Sequence, residues 1–213
     1  MNSETVLVTG ASSGIGLEIA RVFAEHGSNL VLIARRKEKL DELADQLRHE
    51  QGIEAQVIVA DLADPASPSA IWDSLTGQGT TIDVVVNNAG FGVNGPFYQL
   101  PLQRQLDLVQ VNLVALAHLT RLFLPGMVKR GRGGILNVAS TAAFQPGPTM
   151  AAYFASKAFV LSLTEAVAEE LRGTNVRLCV LCPGATQTGF FDAADMHGVG
   201  LLKLGRPARA DAV

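Results

Sequence analysis

The chain has 213 residues, of which 48% are hydrophobic and 17% charged, and its formal net charge is −3. These values predict one folded domain, residues 1–213, and exclude an intrinsically disordered chain. The slight acidity gives no basic surface for nucleic acid or an anionic membrane. The sequence has no signal peptide and no apolar run near the ~20 residues that span a bilayer, so we expect a cytoplasmic protein.

The chain opens with a strand, a glycine-rich turn and a helix. Residues 5–8 form a short apolar run, the glycines fall within residues 9–16, and Ile19 and Val22 continue a helical spacing up to Gly27. Glycine lets a ligand approach the main chain, and a helix N-terminus attracts a pyrophosphate. A tight turn with packing glycines is the structural alternative. Because a second strand follows at residues 30–33, the order favours a dinucleotide site.

The rest of the chain alternates between apolar strands and helices. Further strands are predicted at 55–60, 82–86, 135–138 and 176–181, and helices at about 40–50, about 68–77, about 102–129 and about 151–171. This alternation predicts an α/β fold, a doubly wound parallel sheet that is buried on both faces. Ligands of such sheets bind beyond the carboxyl ends of the strands. Polar or glycine residues follow six strand ends: Gly10, Arg35, Asp61, Asn87, Ser140 and the pair Pro183-Gly184.

Two cysteines, Cys179 and Cys182, have the spacing of a redox pair. Such a pair works at a helix N-terminus, where the thiol pKa is lowered. Here Cys179 falls in the sixth predicted strand and Cys182 directly follows it, and in a strand positions three apart point to opposite faces. We therefore expect two buried, inert thiols.

Tyr153 and Lys157 lie one turn apart on the last predicted helix. A tyrosine pKa is ordinarily near ~10, and a nearby cation lowers it, so such a phenol can transfer a proton at a carbonyl or alcohol. Ser140 could hold a substrate oxygen against this phenol. Alone, each feature also fits ordinary structure, and Asn112 among apolar neighbours also fits a buried amide satisfied by the backbone.

Together the motifs resemble the short-chain dehydrogenase/reductase family from about residue 5 to residue 188. The matching features are the Thr-Gly-x-x-x-Gly-x-Gly turn, residues 87–90, Asn112, Ser140, Tyr153-x-x-x-Lys157 and Pro183-Gly184. The resemblance implies a Rossmann-like domain and a catalytic tetrad of Asn112, Ser140, Tyr153 and Lys157. Tyr153 would be the general acid in reduction and the base in oxidation. Lys157 would hold the nicotinamide ribose and lower the tyrosine pKa, Ser140 would orient the carbonyl oxygen, and Asn112 would anchor a water.

The cofactor choice is predicted from the end of the second strand. An NAD site typically has an acidic residue there, which binds the ribose hydroxyls, whereas this chain has Ala34 followed by Arg35 and Arg36. An arginine fork suits a 2′-phosphate, and basic residues oppose the dipole at a helix start, so they favour NADP(H).

The resemblance implies the remaining cofactor contacts. Asp61 and Leu62 would contact adenine, and Thr188 would lie near the nicotinamide amide or the diphosphate. The expected cofactor-binding residues are Gly10, Ser12, Ser13, Gly14, Ile15, Gly16, Arg35, Arg36, Asp61, Leu62, Asn88, Ala89, Gly90, Tyr153, Lys157, Pro183, Gly184 and Thr188.

Apolar residues near the strand ends predict a pocket for a small apolar carbonyl or alcohol. They are Phe91, Val93, Phe144, Pro146, Met150, Phe190, Phe191 and Met196. No metal site is predicted, because the histidines lack ligand spacing: His26, His49, His118 and His197.

Family members usually continue through another helix and a last strand, which this chain lacks; residues 209–213 resemble the start of that helix. The family often dimerises through the helices predicted at 102–129 and 151–171, so we expect a homodimer with apolar outer faces.

The predicted function is an NADP(H)-dependent oxidoreductase that moves a hydride between nicotinamide and a carbonyl or secondary alcohol. One alternative is a non-catalytic NADP-binding sensor or interaction protein on the same fold. Another is an epimerase or dehydratase on this scaffold, although the short chain disfavours the larger sugar-nucleotide type.

Overall fold

The computed structural model describes residues 3–187 and 208–213. The strands of the main sheet are β1 (Thr5–Thr9), β2 (Asn29–Ala34), β3 (Ala55–Val59), β4 (Val84–Asn87), β5 (Gly133–Val138) and β6 (Val176–Leu181). The helices are α1 (Gly14–Glu25), α2 (Lys37–Gln51), α3 (Ser67–Gly77), α4 (Leu102–Val109), α5 (Leu116–Arg130) and α6 (Ala151–Glu170), with a π-helical segment, Gln110–Ala115, between α4 and α5.

The six strands form one parallel sheet in the order β3-β2-β1-β4-β5-β6, which confirms the predicted doubly wound architecture. The chain builds outwards from β1 through β2 to β3 and then crosses back to place β4 on the other side of β1. The strand order therefore reverses between β1 and β4. In sheets of this kind, the crevice beyond the carboxyl ends at such a reversal receives the ligand.

Apolar cores lie on both faces of the sheet. Within β1, Leu7 packs into one core while Val6 and Val8 pack into the other, and all three are fully buried. Alternate side chains of a strand point to opposite faces, so a strand covered on both sides needs apolar residues at every position. This is the physical reason for the continuous apolar runs in the sequence.

The predicted helix at 102–129 is interrupted in its middle. Six residues, Gln110–Ala115, are π-helical, and they join α4 to α5 without a break in the helical path. By length and composition alone, Leu102–Arg130 is able to cross a membrane, whereas the sequence predicts no apolar run of that length. The core helix of a water-soluble protein meets the same criterion, and here Leu108, Leu119 and Met127 are fully buried in the protein.

The prediction that both cysteines are buried is wrong. Cys179 is exposed and Cys182 is partly exposed. The reason is the position of β6 at the end of the strand order: Val176 and Leu178 pack into a core, whereas Arg177 and Cys179 on the other face are exposed. Cys182 points to the covered side and packs near α6, so the two thiols do lie on opposite faces as expected.

Short elements follow the main sheet. β7 (Thr186–Gln187) pairs in parallel with β8 (Ala208–Arg209), and a 3-10 turn at Ala210–Ala212 lies against α1. Where the sequence resembled the start of an α-helix, at 209–213, the structure therefore has a strand residue and one tight turn.

Candidate active site

A cavity of about 590 Å³ opens beyond the carboxyl ends of the strands. Most residues predicted for the site line this cavity: Gly10, Ser12, Ser13, Gly14, Ile15, Arg35, Arg36, Asp61, Leu62, Asn88, Ala89, Gly90, Ser140, Tyr153, Lys157, Pro183 and Gly184. Gly16 and Asn112 lie beneath its wall, and Thr188 lies outside the described residues. The parallel sheet brings these distant positions together because all its strands end at one edge.

The glycine-rich turn presents main chain to the cavity. Gly10 has a φ of 68°, a conformation that other residues resist. A Cβ on Gly16 would come within 2.6 Å of the Gly10 carbonyl oxygen and would overlap the Asn88 amide. Gly14 and Ile15 begin α1 at the cavity wall, where unpaired N–H groups of the first turn can bind an anion.

Asn88 holds this turn from the neighbouring strand. Its side-chain amide donates to the Thr9 carbonyl at 3.0 Å. In return, the Thr9 hydroxyl accepts the backbone N–H groups of Asn88 and Ala89, each at 3.0 Å. These bonds fix the turn to the end of β4.

The two arginines after β2 lie at one end of the cavity. The Arg36 guanidinium donates to the Ser13 hydroxyl at 2.8 Å and to the Ser12 hydroxyl at 3.0 Å. Arg35 is exposed and lies 4.0 Å from an Asp61 carboxylate oxygen. A cluster of one guanidinium and two hydroxyls supplies several donors, which suits a phosphate group.

Ser140, Tyr153 and Lys157 meet at another part of the cavity. Ser140 follows β5, accepts the backbone N–H of Ala142 at 3.1 Å, and is hydrogen-bonded to the Tyr153 phenol. Lys157 is buried and donates to the Val138 carbonyl at 2.8 Å. A phenol, a hydroxyl and an ammonium thus lie within one small space.

The pKa directions at this group differ from the sequence-based expectation. Burial raises the pKa of the Tyr153 phenol above its ordinary value, and the hydrogen bond from Ser140 opposes this rise. Burial lowers the pKa of Lys157 to about 8, with a small opposing effect from Cys182. The sequence predicts that Lys157 lowers the tyrosine pKa, whereas in the structure the desolvation of the phenol has the largest effect and raises it.

Asn112 is buried at 1% exposure in the π-helical segment. Its amide oxygen accepts the Phe91 N–H at 3.1 Å, and its amide nitrogen donates to the Phe91 carbonyl at 3.0 Å and to the Ser156 hydroxyl at 3.1 Å. The side chain therefore fixes the loop after β4 against α6. The alternative of an amide satisfied by the backbone describes the two bonds to Phe91, whereas the third bond is to a side chain.

The predicted apolar pocket is only partly present. Phe91 and Met150 line the cavity, whereas Val93, Phe144 and Pro146 do not. Phe190, Phe191 and Met196 lie outside the described residues. The predicted strand ends identified the correct loops, but they did not show which side chains of those loops line the cavity.

Sequence reasoning missed five polar residues of the cavity wall: Arg104, Asp107, Thr141, Gln145 and Thr186. The Arg104 guanidinium lies 5.0 Å from the centre of the Phe91 ring, a cation–π arrangement. Arg104 and Asp107 are on α4, and no motif marks them. Within residues 3–187 and 208–213, no group of three His, Cys, Asp or Glu side chains could hold a metal ion.

Comparison with known proteins extends this picture. The family model described as short chain dehydrogenase matches residues 4–197. The ketoacyl reductase HetN of Nostoc sp. is 37% identical over 190 residues, which cover 89% of this chain and 66% of that protein. The very-long-chain 3-oxoacyl-CoA reductase of Anas platyrhynchos is 40% identical over 160 residues, covering 72% of this chain and 50% of that protein. The chain thus spans between half and two-thirds of the length of these curated relatives.

Solved structures are similar over nearly the whole chain. A short-chain dehydrogenase from Sphingobium yanoikuyae in complex with NADPH has a TM-score of 0.90 and 37% identity, with 98% of this chain and 80% of that chain covered. A gluconate 5-dehydrogenase from Burkholderia cenocepacia in complex with NADP and tartrate has a TM-score of 0.85 and 30% identity, with 99% of this chain and 85% of that chain covered.

Proposed function

This chain belongs to the short-chain dehydrogenase/reductase family, and from that membership we propose that it is an NADP(H)-dependent oxidoreductase acting on a carbonyl or secondary alcohol. The observation that carries the proposal is one cavity with a cluster of phosphate-binding donors at one end and the Ser140–Tyr153–Lys157 group elsewhere in its wall. We propose that residues 1–213 act as a single NADP-binding domain.

The residues on the cavity wall fit NADP(H). The N–H groups at the start of α1 would bind the pyrophosphate, and Arg35 and Arg36 with Ser12 and Ser13 would bind the 2′-phosphate. Structures of relatives with NADPH or NADP bound support this choice. The NADP preference over NAD rests on Arg36 in particular, since its donors already converge on the serines.

The remaining cofactor contacts follow the same cavity wall. Asp61 and Leu62 would lie at the adenine, and residues 88–90 would line the middle of the cofactor. Pro183 and Gly184 would lie near the nicotinamide, as would Lys157 at its ribose. Thr188 keeps its predicted role at the nicotinamide amide or diphosphate.

The proton chemistry is assigned to Tyr153. When bound, nicotinamide supplies or accepts the hydride. In reduction, Tyr153 would donate its phenolic proton to the carbonyl oxygen while the Ser140 hydroxyl holds that oxygen in place. Burial raises the pKa of the Tyr153 phenol and so favours the protonated form, which the proposed role as general acid requires. Asn112, which is hydrogen-bonded to the loop after β4, would anchor a water of the proton relay.

The proposed substrate is small and mainly apolar around its carbonyl. Phe91, Met150 and Phe154 give the cavity apolar walls, and Arg104 and Gln145 give it a polar margin. Curated relatives named as ketoacyl reductases support a carbonyl substrate.

We propose that the protein is a cytoplasmic homodimer. Leu102, Leu106 and Val109 lie at i, i+4 and i+7 along α4 with exposed fractions of 71%, 50% and 38%, and Phe159 on α6 is 38% exposed. Apolar side chains at this spacing form one stripe, which a second copy could cover.

The function is tested with a panel of ketones, aldehydes and secondary alcohols, measured with NADPH or NADP⁺ by the change in nicotinamide absorbance. We expect turnover of at least one carbonyl and loss of that turnover in Tyr153→Phe. A protein that binds NADPH tightly but turns over none of the panel would support the non-catalytic alternative. Turnover of a substrate without net change in NADPH would instead favour an epimerase or dehydratase.

A further inference from the structure

A row of polar side chains crosses the buried interior directly beneath the site. It consists of Asn87 at the end of β4, Asn137 in β5 and Thr164 in α6, each between 0% and 3% exposed. Buried polar groups are costly unless they are hydrogen-bonded, and a bonded network fixes one arrangement of the elements that it joins. Within the described part of the chain, every polar side-chain atom of the row except the Asn87 amide oxygen has a hydrogen-bond partner.

The hydrogen bonds of the row run in one direction. The Asn87 amide donates to the Asn137 amide oxygen at 2.9 Å, and the Asn137 amide donates to the Thr164 hydroxyl at 2.9 Å. Thr164 in turn donates to the Val160 carbonyl within α6 at 2.6 Å. A side branch leads from the same Asn87 amide to the Thr120 hydroxyl on α5 at 3.1 Å.

The two ends of the row lie at the two halves of the site. Asn87 is followed by Asn88, which holds the glycine-rich turn through the Thr9 carbonyl. At the other end, Thr164 lies seven residues after Lys157, which is two helical turns along the same face of α6. The row therefore joins the cofactor-binding turn to the helix that carries Tyr153.

Two side-chain hydrogen bonds tie this face of α6 to β5. One joins Lys157 to the Val138 carbonyl and the other joins Thr164 to Asn137. Two bonds spaced two turns apart fix both the rotation of the helix about its axis and its position along the strand. The Lys157 ammonium is the group that would turn to the nicotinamide ribose, so the Asn137–Thr164 bond is the one able to hold α6 throughout a reaction.

We propose that Asn137 and Thr164 are positioning residues, which hold α6 so that the Tyr153 phenol stays in hydrogen-bonding contact with Ser140. This inference rests on the proposed function, because it assigns the acid–base role to Tyr153. Neither residue lines the cavity, so both would act through the helix and not by touching substrate or cofactor.

The test replaces Thr164 by Val, which keeps the shape and removes the hydroxyl. Thr120→Val is the matched control, because it also removes one hydroxyl that is bonded to this row, but on α5. We expect Thr164→Val to lower kcat by about ten- to hundredfold with little change in the dissociation constant of NADPH, since a small misplacement of reacting groups is costly. Thr120→Val should lose stability without that fall in kcat, and Thr164→Ser, which keeps the hydroxyl, should restore the parent kcat.

A second readout needs no turnover. In a Tyr98→Phe background Tyr153 is the only tyrosine, so ultraviolet absorbance of the phenolate reports its titration with NADP⁺ bound. The charged or titratable groups on the cavity around it, Lys157, Arg104 and Asp107, with Cys182 beside Lys157, are unchanged by the test variants. We expect Thr164→Val to raise the apparent pKa of Tyr153, because the bond to Ser140 that lowers it is loosened.

The outcomes separate this inference from the proposed function. If the parent has no turnover, the function fails, and the phenolate titration still decides whether Thr164 positions Tyr153. The inference is overturned if Thr164→Val matches Thr120→Val in melting temperature, kcat and tyrosine titration. If Thr164→Val does not fold, Thr164→Ala is compared with Thr164→Ser instead, because the first lacks the hydroxyl and the second keeps it.

Discussion

The Lys157 ammonium nitrogen lies 5.8 Å from the centre of the Tyr153 ring, one turn further along the same face of α6. It lies beside the phenol ring and donates a hydrogen bond to the Val138 carbonyl at 2.8 Å. The Tyr153 phenol is hydrogen-bonded to the Ser140 hydroxyl, and this bond lowers the phenol pKa. Under the proposed function, Ser140 would tune the pKa of the acid, and Lys157 would remain available for the cofactor.

Tyr153→Phe keeps the ring and removes the transferable proton. We expect kcat to fall by about a hundredfold or more, as for loss of a general acid, while the NADPH dissociation constant changes little. Steady-state kinetics and fluorescence titration of NADPH measure the two effects. Tyr98→Phe is the matched control, because Tyr98 is 84% exposed and lies outside the cavity wall. Activity of Tyr153→Phe within a few-fold of the parent would refute the assignment.

Burial of Lys157 makes the free energy of unfolding depend on pH in the alkaline range. Its pKa is lowered from 10.5 to about 8 in the folded protein, so between these values the unfolded chain binds a proton that the folded protein has released. The free energy of unfolding therefore rises with pH through this window, and the cost of burying the ammonium is fully present below pH 8. Across this pH window, the free energy of unfolding of the parent should rise by on the order of 3 kcal/mol relative to that of Lys157→Met.

Urea unfolding near each end of that pH window measures this difference. Lys39→Met is the control, because Lys39 is exposed on α2 and pairs with Glu42. Parallel pH curves for the parent and Lys157→Met would contradict the prediction.

Arg36→Ala removes a guanidinium that already converges on Ser12 and Ser13. We expect NADPH to bind more weakly by about 1–3 kcal/mol, the range for a charge-assisted hydrogen bond, with NADH binding nearly unchanged. Arg35→Ala should likewise reduce the difference in binding free energy between NADPH and NADH. Calorimetric titration with both cofactors tests this, and Lys39→Ala controls for the loss of a positive charge on α2. Equal binding of NADPH and NADH by the parent would exclude the preference.

Leu106→Glu places a charge in the exposed stripe on α4. We expect it to convert a dimer to a monomer, because a buried unpaired carboxylate is costly at an interface. Sedimentation at micromolar concentration measures the change. Val22→Glu is the control, since Val22 is 52% exposed on α1 and outside the stripe. A parent that is strictly monomeric under these conditions argues against the proposed assembly.

The two cysteines should differ in reactivity. Cys179 is exposed, whereas burial raises the pKa of Cys182 and so reduces its thiolate fraction. We expect iodoacetamide to label Cys179 about ten times faster at neutral pH, as followed by peptide mass spectrometry. Equal labelling rates would indicate that Cys182 is more accessible than the structure places it. Cys179→Ser identifies the residual label on Cys182.

The sheet and the glycine-rich turn could be predicted because local sequence determines them. Apolar runs marked each strand, and the order of strands and helices determined which edge carries the site. The π-helical setting of Asn112 could not be predicted, because the side-chain bonds to Phe91 that accompany it come from a loop twenty-one residues earlier. Exposure of Cys179 depends on β6 lying last in the sheet, which is a property of topology and not of the strand itself.

Tyr153 and Lys157 show the same limit of prediction from local sequence. Spacing alone placed Tyr153 and Lys157 on one helix face. The direction of the Tyr153 pKa depends on how much water the folded protein excludes, which spacing does not reveal. Arg104 lines the cavity although nothing in its local sequence distinguishes it from an ordinary surface residue of a helix.

The closeness of Gly16 to the Gly10 carbonyl bears on how the cofactor preference of this protein can evolve. Even a methyl group at position 16 would collide with the main chain of the turn and with Asn88, so no single substitution there can keep the site intact. Arg35 and Arg36 are exposed and can change one at a time without disturbing a neighbour in the core. Selection for another dinucleotide would therefore act on the two adjacent codons of Arg35 and Arg36, while the turn that we propose to bind the shared pyrophosphate stays fixed.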